Sequence, residues 1–345
     1  MKKFVALLVM LSVGSSCKKS DVPPNLDEVL GPIESINLII PENLNDPIAL
    51  QGDPKYNVIG YGYDFTGKFN DASAIRDNVI DIAAYVKGEK PNNFEPRTST
   101  TFGQDSYDAE NAEVLARKLS AESEETKDKM LYGGTMSEFF PKTDAFSEKY
   151  VYGYSSQILQ YKSFKFWVDD KVVEKFRKYL NPSFQSDVQS LSSEMIVRKY
   201  GTHILANILL GAKLDIVYQA ETAALDRSSA QRNGYDAALK STFGLWTTRW
   251  FEKIDSVALR QMKSPTISFR VAGGDPSKIR AFDSPIGPKV DFSAWQKSAE
   301  TQNHVFIGAT STIPLFSLIA DEGKRNEVQA YIATYLKNNE VKLSK

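Results

Sequence analysis

Long hydrophobic stretches of this chain are separated by two polar segments. YVYGYSSQILQYKSFKFWV (150–168) is aromatic, β-branched and free of proline. It predicts one strand far longer than the usual run of about 5–6 residues. ILANILLGAKLDIVYQA (204–220) predicts a second strand. SPTISFRVAGGDPS (264–277) predicts a third, ending at Gly273-Gly274. NVIGYGYDFTG (57–67) alternates bulky residues with glycine and predicts a strand closing in a turn. Helical spacing appears elsewhere. Val188, Leu191 and Met195 share one face of a helix over 184–199, which runs into Tyr200-Gly201-Thr202-His203. Ala109, Ala112, Ala116 and Leu119 recur at helical spacing ahead of the charged ESEETKDK (122–129). FSAWQKSAE (292–300) predicts a short helix. RNEVQAYIATYLKNN (325–339) predicts a terminal one, with Val328, Tyr331, Ile332 and Tyr335 on one side.

The first residues follow a different pattern. Lys2 and Lys3 precede an apolar run over 4–13 and the small residues before Cys17. This is the layout of a secretory signal, too short to span a bilayer as a helix. Cys17 is the single cysteine, so no disulfide forms within the chain. The segment resembles a lipobox, with Val13 and Gly14 in place of the tight consensus. That resemblance implies cleavage before Cys17 and diacylation of its thiol, each buried methylene contributing about 0.8 kcal/mol to anchoring. An ordinary signal with a chance cysteine is the alternative. Residues 18–54 are rich in Pro, Asn and Asp and predict a tether followed by an irregular lead-in. The expected organisation is a signal over 1–16, a lipid-anchored tether over 17–44 and a folded domain over 45–345. Lysine and aspartate just after Cys17 resemble a surface-export signal, or simply a solvated tether. The expected location is the surface of a Gram-negative outer membrane.

Composition adds mainly exclusions. A net charge of −1 gives no electrostatic case for nucleic acid. With two histidines, His203 and His304, there is no HExxH, no Cys/His cluster, no EF-hand spacing and no phosphate-binding loop. No GxSxG elbow is present. The expectation is no metal, no cofactor and no enzymatic activity. His203 has no partner cluster, and its reading is structural: Tyr200 to His203 close a helix and turn the chain into a strand.

The order of these elements resembles the membrane attack complex/perforin (MACPF) family across roughly 45–345. The family signature is an aromatic-Gly-Thr/Ser-His-aromatic followed after six residues by Gly-Gly. Tyr200, Gly201, Thr202 and His203 match it, Ile204 replaces the aromatic, and Gly211 is followed by Ala212 rather than a second glycine. The family's hinge glycines look like Gly273 and Gly274. Its Trp-Ser-x-Pro-Leu tail looks like Trp295, Ser298 and Pro314-Leu315.

The resemblance implies an α+β fold: a bent, four-stranded antiparallel sheet flanked by two helical clusters, about 104–148 and 217–263. In pore-forming members each cluster unfurls into an amphipathic hairpin, and a ring or arc of subunits pools the hairpins into a barrel. In the second cluster, Leu214, Ile216, Tyr218 and Ala220 form one alternating apolar face, and Leu239, Phe243 and Leu245 belong to another. LDRSSAQRNGYD (225–236) is a candidate polar turn between them. Equally, 214–220 is a core strand and 237–247 a helix lying on the sheet. The first cluster fits a hairpin less well, with Arg117 and Lys118 on its faces, the charged 122–129 and Pro141 on the return. Gly273-Gly274 read alone is a plain turn; in the family it is a hinge. The expected function is therefore a lipid-anchored pore former acting on a target bilayer. The alternative is a non-lytic surface lipoprotein that adheres to a glycan or protein receptor.

Overall fold

The computed structural model describes residues 33–42, 44, 52–89, 93–167, 171–247, 252–300 and 303–345. The signal segment, Cys17 and most of the tether lie outside the described residues. Among these residues ten strands form: β1 (Asn37–Ile39), β2 (Tyr61–Tyr63), β3 (Ile75–Asn78), β4 (Phe94–Ala109), β5 (Tyr150–Phe166), β6 (His203–Thr222), β7 (Met262–Ala272), β8 (Arg280–Ser284), β9 (Gly287–Asp291) and β10 (Val305–Pro314). Four long strands, β4, β5, β6 and β7, are consecutive antiparallel neighbours.

The sheet is nevertheless eight-stranded and mixed, not the four-stranded antiparallel sheet expected. The reason is the length of β6. Buried backbone groups need partners along a strand's whole length, and β6 outruns its long neighbours. β7 pairs only with 213–222, so β10 takes over the same edge from Gly211 down to His203. β5 stops at Asn207, and Gly62 of β2 pairs with Ile204 beyond it. β3 continues from β2. β1 runs parallel to β7, with Asn37 opposite Thr266, so residues assigned to the tether belong to the sheet. β8 and β9 form a separate hairpin.

Several other boundaries differ from expectation. Residues 104–109 belong to β4 rather than to a helical cluster, and 217–222 and 262–263 belong to β6 and β7. β4 is polar because its stretch over 96–102 is exposed on an edge, so its sequence carries no alternation to read. The helix expected over 184–199 is two helices, Pro182–Ser190 and Ser193–Tyr200. Ser192 breaks the run by adopting an extended conformation and capping the second helix through Met195 N. The 57–67 segment contributes only the three residues of β2.

Two hydrophobic clusters sit against the sheet. The larger gathers β2, the lower half of β6, the helix Ser193–Tyr200 and the terminal helix Glu322–Asn338. The smaller gathers Leu214, Ile216, Tyr218 and Ala220 of β6 with Ile267, Phe269 and Val271 of β7, under the helices Arg227–Ala238 and Ser293–Ala299.

Candidate functional site

The Tyr200–His203 corner is built by a helix end meeting the sheet. Gly201 caps the helix at φ +74°, where a Cβ would fall 2.5 Å from Tyr63 O. Only glycine fits that close, left-handed position. Thr202 N donates to Tyr63 O (2.9 Å), and Leu315 N donates to Thr202 O (3.0 Å). Tyr200 OH donates to Asp187 Oδ2 (2.7 Å). His203 is buried edge-on against Phe65, ring centroids 4.6 Å apart, with Nδ1 3.0 Å from Thr202 Oγ1. Burial, and secondarily the charge of Lys129, pushes its pKa down to about 3. A neutral, enclosed imidazole of this kind is a packing group. Among the described residues no cluster of His, Cys, Asp or Glu is placed to hold a metal ion.

The second feature is the junction where β6 changes partner from β10 to β7. Gly211 pairs with Val305 on one side and Gln160 on the other. A bulge in β5 leaves Tyr161 as the extra residue between the pairs Gln160–Gly211 and Lys162–Leu210. Bulges bend the strand that carries them. A Cβ on Gly211 would fall 1.9 Å from Leu159 O, and one on Gly273 (φ +72°) 2.5 Å from Gly211 O. Trp295 Nε1 donates to Gly273 O (2.9 Å), and Asp275 N donates to Ser298 Oγ (2.8 Å). Gly211, Gly273, Gly274, Trp295 and Ser298, spread over nearly 90 residues of sequence, thus meet at one place. The bulge at Tyr161 and the ring of His304 stacked on it, centroids 4.4 Å apart, carry no signal in the sequence.

The third feature is the pair of segments leaving the far end of the long strands. Residues 110–149 join β4 to β5, and 223–261 join β6 to β7. They pack on opposite faces. The second segment is not the hairpin expected: 225–236, the candidate turn, lies mostly within the helix Arg227–Ala238, which continues as a π-turn over Leu239–Phe243. Leu214, Ile216, Tyr218, Ala220, Leu239 and Phe243, proposed to face lipid, are all buried against one another and against Tyr235, and Leu245 packs on their margin. The first segment covers the odd-numbered, polar side of β6. There Gln219 Nε2 donates to Thr143 Oγ1 (3.2 Å) and to Tyr152 OH (2.7 Å), and Arg270 of β7 pairs with Glu138 (3.6 Å). Lys213 Nζ lies 2.7 Å from Asp215 Oδ2 and donates to Asn70 O (2.7 Å). Lys213, Asp215 and Gln219 are all buried, although polar residues alternating with an apolar face ordinarily meet solvent. Among the described residues no helix is long and apolar enough to cross a membrane.

A run of four long antiparallel strands, β4 to β7, whose outer pairs are each closed by a large folded segment, one per face, with a glycine junction on β6, defines the architecture. The MAC/Perforin domain profile matches residues 118–344, and the chain belongs to that family. Its fold is similar to that of a MAC/Perforin-domain protein from Bacteroides thetaiotaomicron VPI-5482, with TM-score 0.63 and 15% identity over 80% of this chain and 60% of that one. It is also similar to GNIP1Aa from Chromobacterium piscinae, with TM-score 0.58 and 16% identity over 82% of this chain and 56% of that one. The chain therefore spans less than two thirds of either structure. No match is found among curated proteins.

Proposed function

We propose that this protein oligomerises on a target membrane and perforates it by converting residues 110–149 and 223–261 into β-hairpins. One observation carries the reading. Each segment connects two strands that are already paired antiparallel, β4 with β5 and β6 with β7, so extension continues existing ladders rather than creating new ones. Each is long enough for two spanning strands of about 9–11 residues and a turn. A closed barrel would satisfy every backbone group in lipid. Self-association has support in the unlike edges of the sheet. β4 pairs only with β5, and β7 is covered by β1 over just three residues. Unlike edges favour head-to-tail contacts, which close into rings or remain as arcs. No covalent bond is made or broken in this action, and no metal or cofactor is needed.

Acylation of Cys17 would hold the protein at an outer-membrane surface. Cys17→Ala is expected to abolish lipid labelling and membrane fractionation; persistent labelling would refute the anchor. The pore is tested by dye release from liposomes of bacterial lipid extract using the Cys17→Ala protein, with rings or arcs sought by electron microscopy. Release with rings is expected. The charged run over 122–129 would burden an inserted hairpin and favours a second reading, a non-lytic adhesin for a glycan or protein receptor. Receptor-dependent binding without release from any liposome composition would establish that reading instead.

A further inference from the structure

Arg227 stands at the first position of the helix Arg227–Ala238, directly after its cap, Asp226. A cation there opposes the helix dipole, so helix stability does not account for it. Its guanidinium instead reaches four backbone carbonyls from three segments. Nη1 donates to Thr222 O (2.9 Å), the last residue of β6. Nη2 is shared among Glu110 O (2.9 Å), Glu148 O (2.9 Å) and Tyr150 O (3.1 Å). Glu110 is the first residue after β4; Glu148 and Tyr150 flank the start of β5. One side chain of the second segment therefore grips both necks of the first. The second segment's own ends are tied as well, by Thr222 Oγ1 donating to Gln261 O (3.0 Å).

These carbonyls lie where strand pairing stops. The β5–β6 ladder ends at Tyr150 opposite Glu221, and the β4–β5 ladder at Ala109 opposite Tyr152. Thr222 N already donates to Lys149 O (3.2 Å), so Arg227 holds the other backbone group of that residue, its carbonyl. Continuing the two registers would place Glu148 opposite Ala223 and Glu110 opposite Val151. Arginine's planar fork suits such simultaneous contacts, and a lysine ammonium cannot span them. We propose that Arg227 is a positioning residue that clips the two segments together in the folded state, so that neither extends into a strand until the clip opens, and opening it frees both. Its consequence for pore formation rests on the function proposed above; the clip itself does not.

The test uses the full chain with Arg227→Gln and Arg227→Lys, and hydrogen exchange read by mass spectrometry without any membrane. Peptides from both 110–149 and 223–261 are expected to exchange about tenfold faster in either variant, equivalent to about 1.4 kcal/mol of local opening. Acceleration confined to 223–261, or none at all, would overturn the proposal. So would an Arg227→Lys protein indistinguishable from wild type, because charge alone would then suffice. If Arg227→Gln does not fold, the lysine variant decides by the same criterion. Dye release then separates the two claims: the variants should release faster than wild type. Absence of release from every protein fails the pore reading while the exchange result stands for the clip.

Discussion

Replacing Lys213 with methionine tests how the buried polar row of β6 is held against β5 and the loop at Asn70. The Lys213 side chain is 4% exposed and that of Asp215 11%, with 2.7 Å between their charged atoms. Asp215 Oδ1 also accepts from Tyr154 OH (2.9 Å) and Ser156 Oγ (2.7 Å). Methionine keeps the apolar stem and removes the charge, leaving a buried carboxylate with two hydroxyl donors. Stripping one partner from a buried pair costs about 3–5 kcal/mol. At about 2 cal/mol/K of unfolding entropy per residue, that lowers Tm by about 4–8 °C. A second effect follows through Asp71. Burial raises its pKa, but the charges of Lys213 and Lys68, together with hydrogen bonds from Ser73, outweigh burial and leave it lowered. A lowered carboxylate contributes stability above its unfolded pKa of about 3.9 and loses it as pH falls through the folded value. Without Lys213 the folded pKa of Asp71 rises, so that contribution shrinks and acid unfolding begins at higher pH. The assay is denaturant unfolding of Lys213→Met, Asp215→Leu and the double variant at pH 7, with the single variant repeated at lower pH. The double variant should be less destabilised than the sum of the singles by at least about 1.5 kcal/mol. A Lys213→Met protein within about 1 kcal/mol of wild type, or strict additivity, would refute the reasoning.

Two further outcomes follow from the geometry. His203 has a folded pKa near 3, below its unfolded value of about 6.5. Its burial therefore costs nothing above pH 6.5 and destabilises by about 1.4 kcal/mol for each unit below, down to the folded pKa; His203→Gln should flatten the pH dependence of Tm in that window, and an unchanged slope would show that the imidazole is accessible to protons. Gly273→Ala places a Cβ 2.5 Å from Gly211 O and 2.7 Å from Asn303 O at φ +72°. It should destabilise by at least about 1 kcal/mol, and a wild-type melting curve would deny the close approach.

Much of the fold is legible in the sequence because strands and helices leave local marks. β5 and β6 show as unbroken aromatic and apolar runs, and the terminal helix shows its 3.6-residue period. β4 is hidden because an exposed edge strand needs no apolar face, and β10 because register shifts between Phe306 and Thr312 break its alternation. The signature residues mark a site without explaining it. Their meaning is a backbone contact, Gly201 on Tyr63, between residues more than a hundred positions apart.

Local sequence sets which strands are long, where the chain turns at Tyr200–His203, and that two polar segments separate the long strands. These are properties of neighbouring residues, set by backbone pairing and one-sided burial. Tertiary structure alone decided that Gly211, Gly273 and Trp295 meet, that the polar row of β6 is buried under the first segment while its apolar row is buried under the second, and that Arg227, which reads as a residue of a polar turn, grips three strand ends at once. Such contacts depend on the packing of distant surfaces, and no local periodicity records which surfaces those will be.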